Sequence, residues 1–184
     1  MPYFTKAISL IAISTLITIS ACAPTETVTL DESVAEAPTS QKYPGWYNSS
    51  GFLSDSLSYH AFGTAISSDS VIAIANAKLQ ANAVLEDHIA ELLEDAREDM
   101  EEVESEASET AFIIQLRIAH GKVEENTTTS ETFAKFENGE YYRGYSQVTL
   151  SKEQLFNLLE SGFEGESRYW ELIANSELFI KALK

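Results

Sequence analysis

The sequence predicts an α+β fold, in which a small antiparallel sheet is covered on one face by a long helix and shorter C-terminal helices. Apolar residues recur at spacings of three and four through residues 89–107, which is the period of an amphipathic helix. Strand-like segments flank Asn138-Gly139, which favours a hairpin. The predicted order of strand, long helix, two strands and further helices is typical of a layered α+β domain.

The first predicted strand covers residues 57–66, and Ser67-Ser68-Asp69 then offers side chains that can cap a helix. In the first half of this long helix, regularly spaced alanines predict a narrow surface that can lie close to a sheet. The second half carries a predicted apolar stripe, made of Ile89, Leu92, Ala96, Met100, Val103 and Ala107. We expect a break within residues 105–108 and an apolar continuation over residues 110–120.

The remaining elements follow from alternation and from capping residues. A Thr-rich strand is predicted over residues 122–136 and its partner over residues 140–150, because Asn-Gly supplies the positive φ angles of a tight turn. Ser151 and Gln154 match a capping box at the start of the next helix, which Gly162 should end. A last amphipathic helix is predicted over residues 167–183.

The N-terminus has the order of a secretory signal peptide. Lys6 precedes an apolar run over residues 7–19, and the run ends in Ile19-Ser20-Ala21-Cys22. The run is too short for a membrane span, which needs roughly 20 apolar residues. A branched aliphatic residue, two small residues and Cys resemble a lipobox, so we expect Cys22 to be acylated and to begin the mature chain. The alternative is ordinary secretion, with cleavage near Ala21 and a free thiol.

These observations divide the chain into a signal peptide over residues 1–21, a lipidated tether over residues 22–42 and one α+β domain over residues 43–184. The tether lacks aromatic residues and is rich in Pro, Thr, Ser and acids, a composition that cannot bury a core. Acyl chains would anchor the protein durably, at roughly 0.8 kcal/mol per buried methylene. Ala23 stands where Asp would indicate inner-membrane retention, which predicts the outer membrane, with the domain facing the periplasm or the exterior.

The charge of the chain excludes several partners. The full sequence has 12 basic and 29 acidic residues, a formal net charge of −17. Removal of residues 1–21 would delete one base, Lys6, and no acid, so the mature chain would carry −18. Such a surface repels nucleic acid and anionic lipid headgroups, so attachment to the membrane must come from the acyl chains.

The residues show no pattern that predicts catalysis, a cofactor or a metal. His60, His88 and His120 stand alone, without a second His or a Cys at ligand spacing, and each is predicted to be structural or solvated. No Gly-x-Ser-x-Gly segment supports a hydrolase. The acidic run over residues 86–109 lacks the spacing of a calcium loop and favours a solvated helix face. The alternative for this run is a contact surface for a basic partner, and the candidate interaction face is Glu98, Asp99, Glu101 and Glu102.

Several segments together resemble the LPP-twenty lipoprotein family of bacterial envelope proteins. They are the lipobox at Cys22, Pro44-Gly45-Trp46-Tyr47, the strand end Phe62-Gly63-Thr64-Ala65-Ile66-Ser67, the alanine-spaced helix over residues 73–83, and Glu140-Tyr141-Tyr142. The resemblance covers roughly residues 43–162, and the same domain type is similar to parts of the flagellar assembly proteins P and T. It implies a non-catalytic structural or interaction component of the envelope, with an envelope or flagellar assembly protein as partner. The alternative is a lipidated periplasmic ligand-binding or enzymatic domain.

Overall fold

The computed structural model describes residues 42–101 and 104–184. Cys22, the predicted signal peptide and all of the predicted tether except Lys42 lie outside the described residues. So do Glu102 of the candidate interaction face and Val103 of the predicted stripe.

The predicted α+β fold is confirmed. In the part of the chain that the structure describes, four strands form one antiparallel sheet in the order β1-β2-β4-β3. Along the chain the elements are β1 (Phe52–Ser54), β2 (Ser58–Ser67), α1 (Ser70–Glu101), a 3₁₀ turn (Ser105–Ser108), α2 (Thr110–Glu124), β3 (Thr128–Glu137), β4 (Tyr141–Ser151), α3 (Lys152–Gly162), α4 (Ser167–Asn175) and α5 (Glu177–Leu183). No helix in the described ranges combines the length and the apolar character that a membrane crossing requires.

Helix α1 is the central element of the core. Asp69 caps it, because its Oδ1 accepts hydrogen bonds from the backbone N–H groups of Val71 (2.7 Å) and Ile72 (3.0 Å). The prediction named Leu92 in the apolar stripe, but Leu93 is the buried residue and Leu92 is only partly buried. The helix buries a row spaced by three and four, namely Ala73, Ala77, Ala81, Leu85, Ile89, Leu93, Ala96 and Met100.

The sheet presents its glycines to α1. Gly63 in β2 and Gly144 in β4 lie against the backbone of Ala77 and Ala73. Because successive side chains point to opposite faces of a strand, the neighbours Phe62 and Tyr145 must face away from α1. The helix therefore covers one face of the sheet.

The segment before β1 covers the middle of the other face. Tyr47 packs edge-on against Phe62 and Tyr145, with ring centroids 6.1 and 4.9 Å apart. The Tyr145 hydroxyl donates to the carbonyl oxygen of Lys42 at 3.3 Å. Both Phe62 and Tyr145 are buried as a result.

The hairpin turn forms at the predicted residues. Asn138 and Gly139 have φ angles of 56° and 74°, and the N–H of Glu140 donates to the carbonyl of Glu137 at 3.1 Å. The predicted start of β3 at residue 122 was wrong, because α2 continues to Glu124 and buries Val123 in the core. Between Thr129 and Glu131 the register of β3 shifts at a β-bulge.

The C-terminal prediction of one helix over residues 167–183 was also wrong. Ser176 separates α4 from α5, is 4% exposed, and caps α5 by accepting from the N–H of Phe179. Helix α3 ends at Gly162 as predicted, and Ser151 Oγ accepts from the N–H of Gln154 at 3.0 Å. The Gln154 side chain does not complete the capping box, since it donates to the carbonyl of Asn126 at 3.4 Å.

Candidate functional site

An acidic cleft of about 680 Å³ lies where the C-terminal end of α1 meets the 3₁₀ turn, α4 and α5. Met100 and Leu172 supply its apolar wall. Its charged lining, among the residues that the structure describes, consists of five carboxylates and one guanidinium, from Asp99, Glu104, Glu106, Glu171, Glu177 and Arg168. We call this site the acidic cleft.

Local contacts hold the walls of the acidic cleft in place. Arg168 in α4 forms an ion pair with Glu106 in the 3₁₀ turn. The Tyr169 hydroxyl donates to Glu109 Oε2 at 3.1 Å, which ties α4 to the same part of the chain. The break at Ser176 then turns the chain so that Glu177 also lines the cleft. A continuous helix over residues 167–183 would not produce this wall.

The acidic cleft has a strongly negative lining. Among the described residues that line it, Arg168 is the one base, and its guanidinium is already paired with Glu106. Within residues 42–101 and 104–184, the other four carboxylates have no basic partner. Such a cleft favours a cationic group, and the adjacent apolar wall can accept the methylenes of a Lys or Arg side chain.

The structure places the predicted interaction residues in different surroundings. Asp99 lines the acidic cleft, whereas Glu101 lines a separate cleft of about 360 Å³ beside α2. Glu98 is exposed and approaches Arg97 at 3.8 Å. These residues diverge because each step along an α-helix turns the side chain by about 100°.

Arg97 neutralises part of the predicted acidic face. Its guanidinium donates to Glu94 Oε1 at 2.7 Å and to Glu94 Oε2 at 3.0 Å, and to Glu101 at 2.6 Å. The hydrogen bonds from Arg97 hold the pKa of Glu94 below its usual value, and those to Glu94 and Glu101 raise the pKa of Arg97. Glu101 is therefore already engaged, and Asp99 is the predicted residue best placed to contact a partner.

The described residues contain no group of three or more His, Cys, Asp and Glu that could hold a metal ion. His88 stacks on Phe52 with ring centroids 3.8 Å apart, and His120 contacts the carbonyl of Glu86 at 3.3 Å. Both imidazoles thus make structural contacts.

A polar network around His60 was missed from the sequence. On the sheet face opposite α1, His60 Nε2 lies 3.0 Å from Asp55 Oδ2, and His60 Nδ1 lies 3.1 Å from both Thr149 Oγ1 and Gln147 Nε2. The Ser130 hydroxyl lies 3.1 Å from Thr149 Oγ1. These residues meet only through the pairing of β2 and β3 with β4, and the sequence shows the alternation of each strand without that register.

Asp55, His60 and Thr149 are the residue types of a hydrolytic triad. Both ring nitrogens of His60, however, already make hydrogen bonds within the network. Gln147 Nε2 is an amide nitrogen that can donate but not accept a hydrogen bond. His60 Nδ1 is therefore the acceptor, and His60 Nε2–H donates to Asp55. The other oxygen of Asp55 accepts from the N–H groups of Leu57 and Ser58, both at 2.7 Å. The network attaches residues 55–58 to the sheet. The lone pair of His60 Nδ1 accepts a hydrogen bond in it and is not available as a general base.

Comparison of the chain with protein-family models, with curated proteins and with solved structures gives no match.

Proposed function

We propose that the protein is a lipid-anchored, non-catalytic component of the bacterial outer membrane, which binds a basic segment of another envelope or flagellar assembly protein through the acidic cleft. The observation that carries this proposal is the cleft itself, in which five carboxylates and one paired guanidinium of the described residues line the site beside an apolar wall.

The sequence before the described residues supports the anchored part of the proposal. Ile19-Ser20-Ala21-Cys22 resembles a lipobox, and Cys22 is the only cysteine of the chain. Acyl chains on Cys22 would hold the domain at a membrane whose anionic headgroups repel it. A fixed position at the membrane raises the local concentration of envelope partners.

The chemistry of the acidic cleft supports a basic protein segment as the ligand. The carboxylates of Asp99 and Glu171 are exposed and can meet Lys or Arg head groups, while Met100 and Leu172 can contact their stems. The net charge of the chain would attract such a segment over a distance of about 8 Å at physiological salt, so binding should weaken as salt rises.

A charge-reversal experiment in intact envelopes tests the proposal. The full chain carrying Asp99→Lys and Glu171→Lys should lose its crosslinked partners, because the reversed charges repel a basic segment. The matched control carries Glu160→Lys and Glu164→Lys, which change the net charge equally at exposed positions outside the acidic cleft. Equal loss in both variants, or no loss in either, would contradict a role for the cleft.

The volume of the acidic cleft favours a second candidate, a lipidated domain that binds a small cationic ligand. About 680 Å³ falls within the roughly 300–1,000 Å³ of small-molecule sites. A polyamine such as spermidine is a suitable probe in calorimetry with the full chain. Tight binding that Asp99→Lys abolishes, without any crosslinked protein partner, would favour this second function.

A further inference from the structure

The two edges of the sheet differ in length. One edge is β1, which has only three residues, and the other is β3, which has ten. In the described part of the chain no strand pairs with the outer side of β3. A long edge strand presents backbone N–H and C=O groups that can pair with another strand.

β3 also presents apolar side chains. Phe133 and Phe136 are 44% and 52% exposed and, by strand alternation, lie on opposite faces of the sheet. Each contacts β4 on its inner side, through Tyr145 at 6.3 Å and Tyr142 at 4.8 Å between ring centroids. Within residues 42–101 and 104–184 no strand covers their outer sides, where a further strand could pack. The segment contains no proline, the residue that most directly blocks edge pairing.

The charges of β3 complement a second copy of β3 in one antiparallel register. If the two-fold axis passes through Phe133, Glu131 of each copy faces Lys135 of the other, and the two Phe133 rings face each other. An axis at Ala134 would instead place Glu131 opposite Glu137, and an axis at Glu131 would pair it with itself. Like charges directly opposite each other are unfavourable, which disfavours the axes at Ala134 and Glu131. An axis at Phe136 would place Lys135 opposite Glu137, but Glu137 already pairs with Arg143, and only residues 135–137 would be paired because the turn begins at Asn138. The axis at Phe133 combines opposite charges with the longer paired segment.

We propose that two copies of this chain pair antiparallel through β3, about a two-fold axis at Phe133, and so join two four-stranded sheets into one. Glu131 and Lys135 have no ionic partner within the described residues. The β-bulge between Thr129 and Glu131 ends the regular pairing at one side, so the contact centres on residues 131–135. This interface is separate from the acidic cleft and does not depend on the proposed function.

Cysteine scanning tests the pairing and its register. In the full chain with Cys22→Ser, the introduced thiol is the only one. Under mild oxidation Phe133→Cys should give about tenfold more disulfide-linked dimer than Thr132→Cys or Ala134→Cys, because only a residue on the axis faces itself within disulfide distance. A mixture of the Thr132→Cys and Ala134→Cys chains should also form a crosslinked heterodimer. Equal low yields at all positions, or a maximum at residue 132 or 134, would overturn the proposal.

A charge swap gives a second test that preserves Phe133. Glu131→Lys and Lys135→Glu should each weaken dimerisation about tenfold in analytical ultracentrifugation, since each creates two like-charge pairs. The double variant Glu131→Lys/Lys135→Glu should restore it. The circular dichroism spectrum of each of the three variants should match that of the parent chain, which shows that the variants are folded. A parent chain that stays monomeric at all concentrations, or a double variant that does not recover dimerisation, would contradict pairing of two copies through β3. A peptide of another protein would then be the alternative occupant of this edge.

Discussion

Gly144 of β4 packs directly against the backbone carbonyl of Ala73 in α1, with no room for a β-carbon between them. Gly63 of β2 has the same relationship with Ala77, one turn farther along the helix. Side-chain-free positions on the sheet and alanines on the helix thus permit the close approach of the two layers. This contact fixes the direction of α1, and therefore the position of the acidic cleft at its far end.

We expect Gly144→Ala to destabilise the fold by about 1–3 kcal/mol or more, because the added methyl group must push the backbone of α1 away from the sheet. Urea unfolding measures the change. Gly121→Ala is the control: it lies in α2 with open space around the new β-carbon, and Ala in a helix should stabilise by about 0.5–1 kcal/mol. Similar stability of both variants would show that α1 does not contact the sheet as described.

The burial of the α1 stripe near the acidic cleft predicts a large effect of Met100→Asp. Met100 is 7% exposed, so the substitution would bury a carboxylate without a partner and should cost several kcal/mol of unfolding free energy. Leu79→Asp on the exposed side of the same helix should cost only about 0.5 kcal/mol. An unchanged melting temperature of Met100→Asp would mean that this part of α1 is not packed.

Asp55 predicts a specific dependence of stability on pH. The backbone N–H of Leu57 is the largest cause of its low pKa, followed by the side chain of His60 and the N–H of Ser58; together they lower it from 3.8 to about 2. The ionised carboxylate therefore stabilises the fold above about pH 4, and this contribution is lost as the pH falls toward 2.

Replacement of Asp55 by Asn removes the titrating group and keeps an acceptor for the two N–H groups. Urea unfolding between pH 6 and pH 2, about two units on either side of pH 4, should show a shallower loss of stability in acid for Asp55→Asn than for the parent chain. A carbon-13 titration of Asp55 with its midpoint near 4 would contradict the hydrogen bonds described.

We predict that Cys22→Ala abolishes acylation. The variant should remain at precursor mass and carry no label from a palmitate analogue, because Cys22 is the only thiol available for lipid attachment. Mass spectrometry of the chain checks both points. Label on the Cys22→Ala protein would refute the lipobox.

Local signals in the sequence predicted much of the fold. Asp69 and Ser151 cap helices through side-chain oxygens, and Asn138-Gly139 adopts positive φ angles, so each choice is made within a few residues. The predicted boundaries were wrong where tertiary contacts, and not local sequence, determine the secondary structure. Val123 lies in an alternating polar stretch that also suits a strand, and burial in the core keeps it helical.

The candidate site could be predicted only in part, because it is built by contacts distant in the chain. The acidic second half of α1 pointed to Asp99. Glu171 and Glu177 reach the same cleft only because the chain breaks at Ser176, whose buried hydroxyl caps α5. A lone serine in an amphipathic pattern does not indicate such a break.

Site-specific photo-crosslinking in growing bacteria tests the role of the acidic cleft most directly. A photoreactive residue at position 171 should form an adduct with a basic envelope protein, and Asp99→Lys in the same chain should remove that adduct. The same residue at position 160, exposed but outside the cleft, should form none. Equal adducts at both positions, or an adduct at 171 that persists in the Asp99→Lys chain, would contradict binding through the acidic cleft.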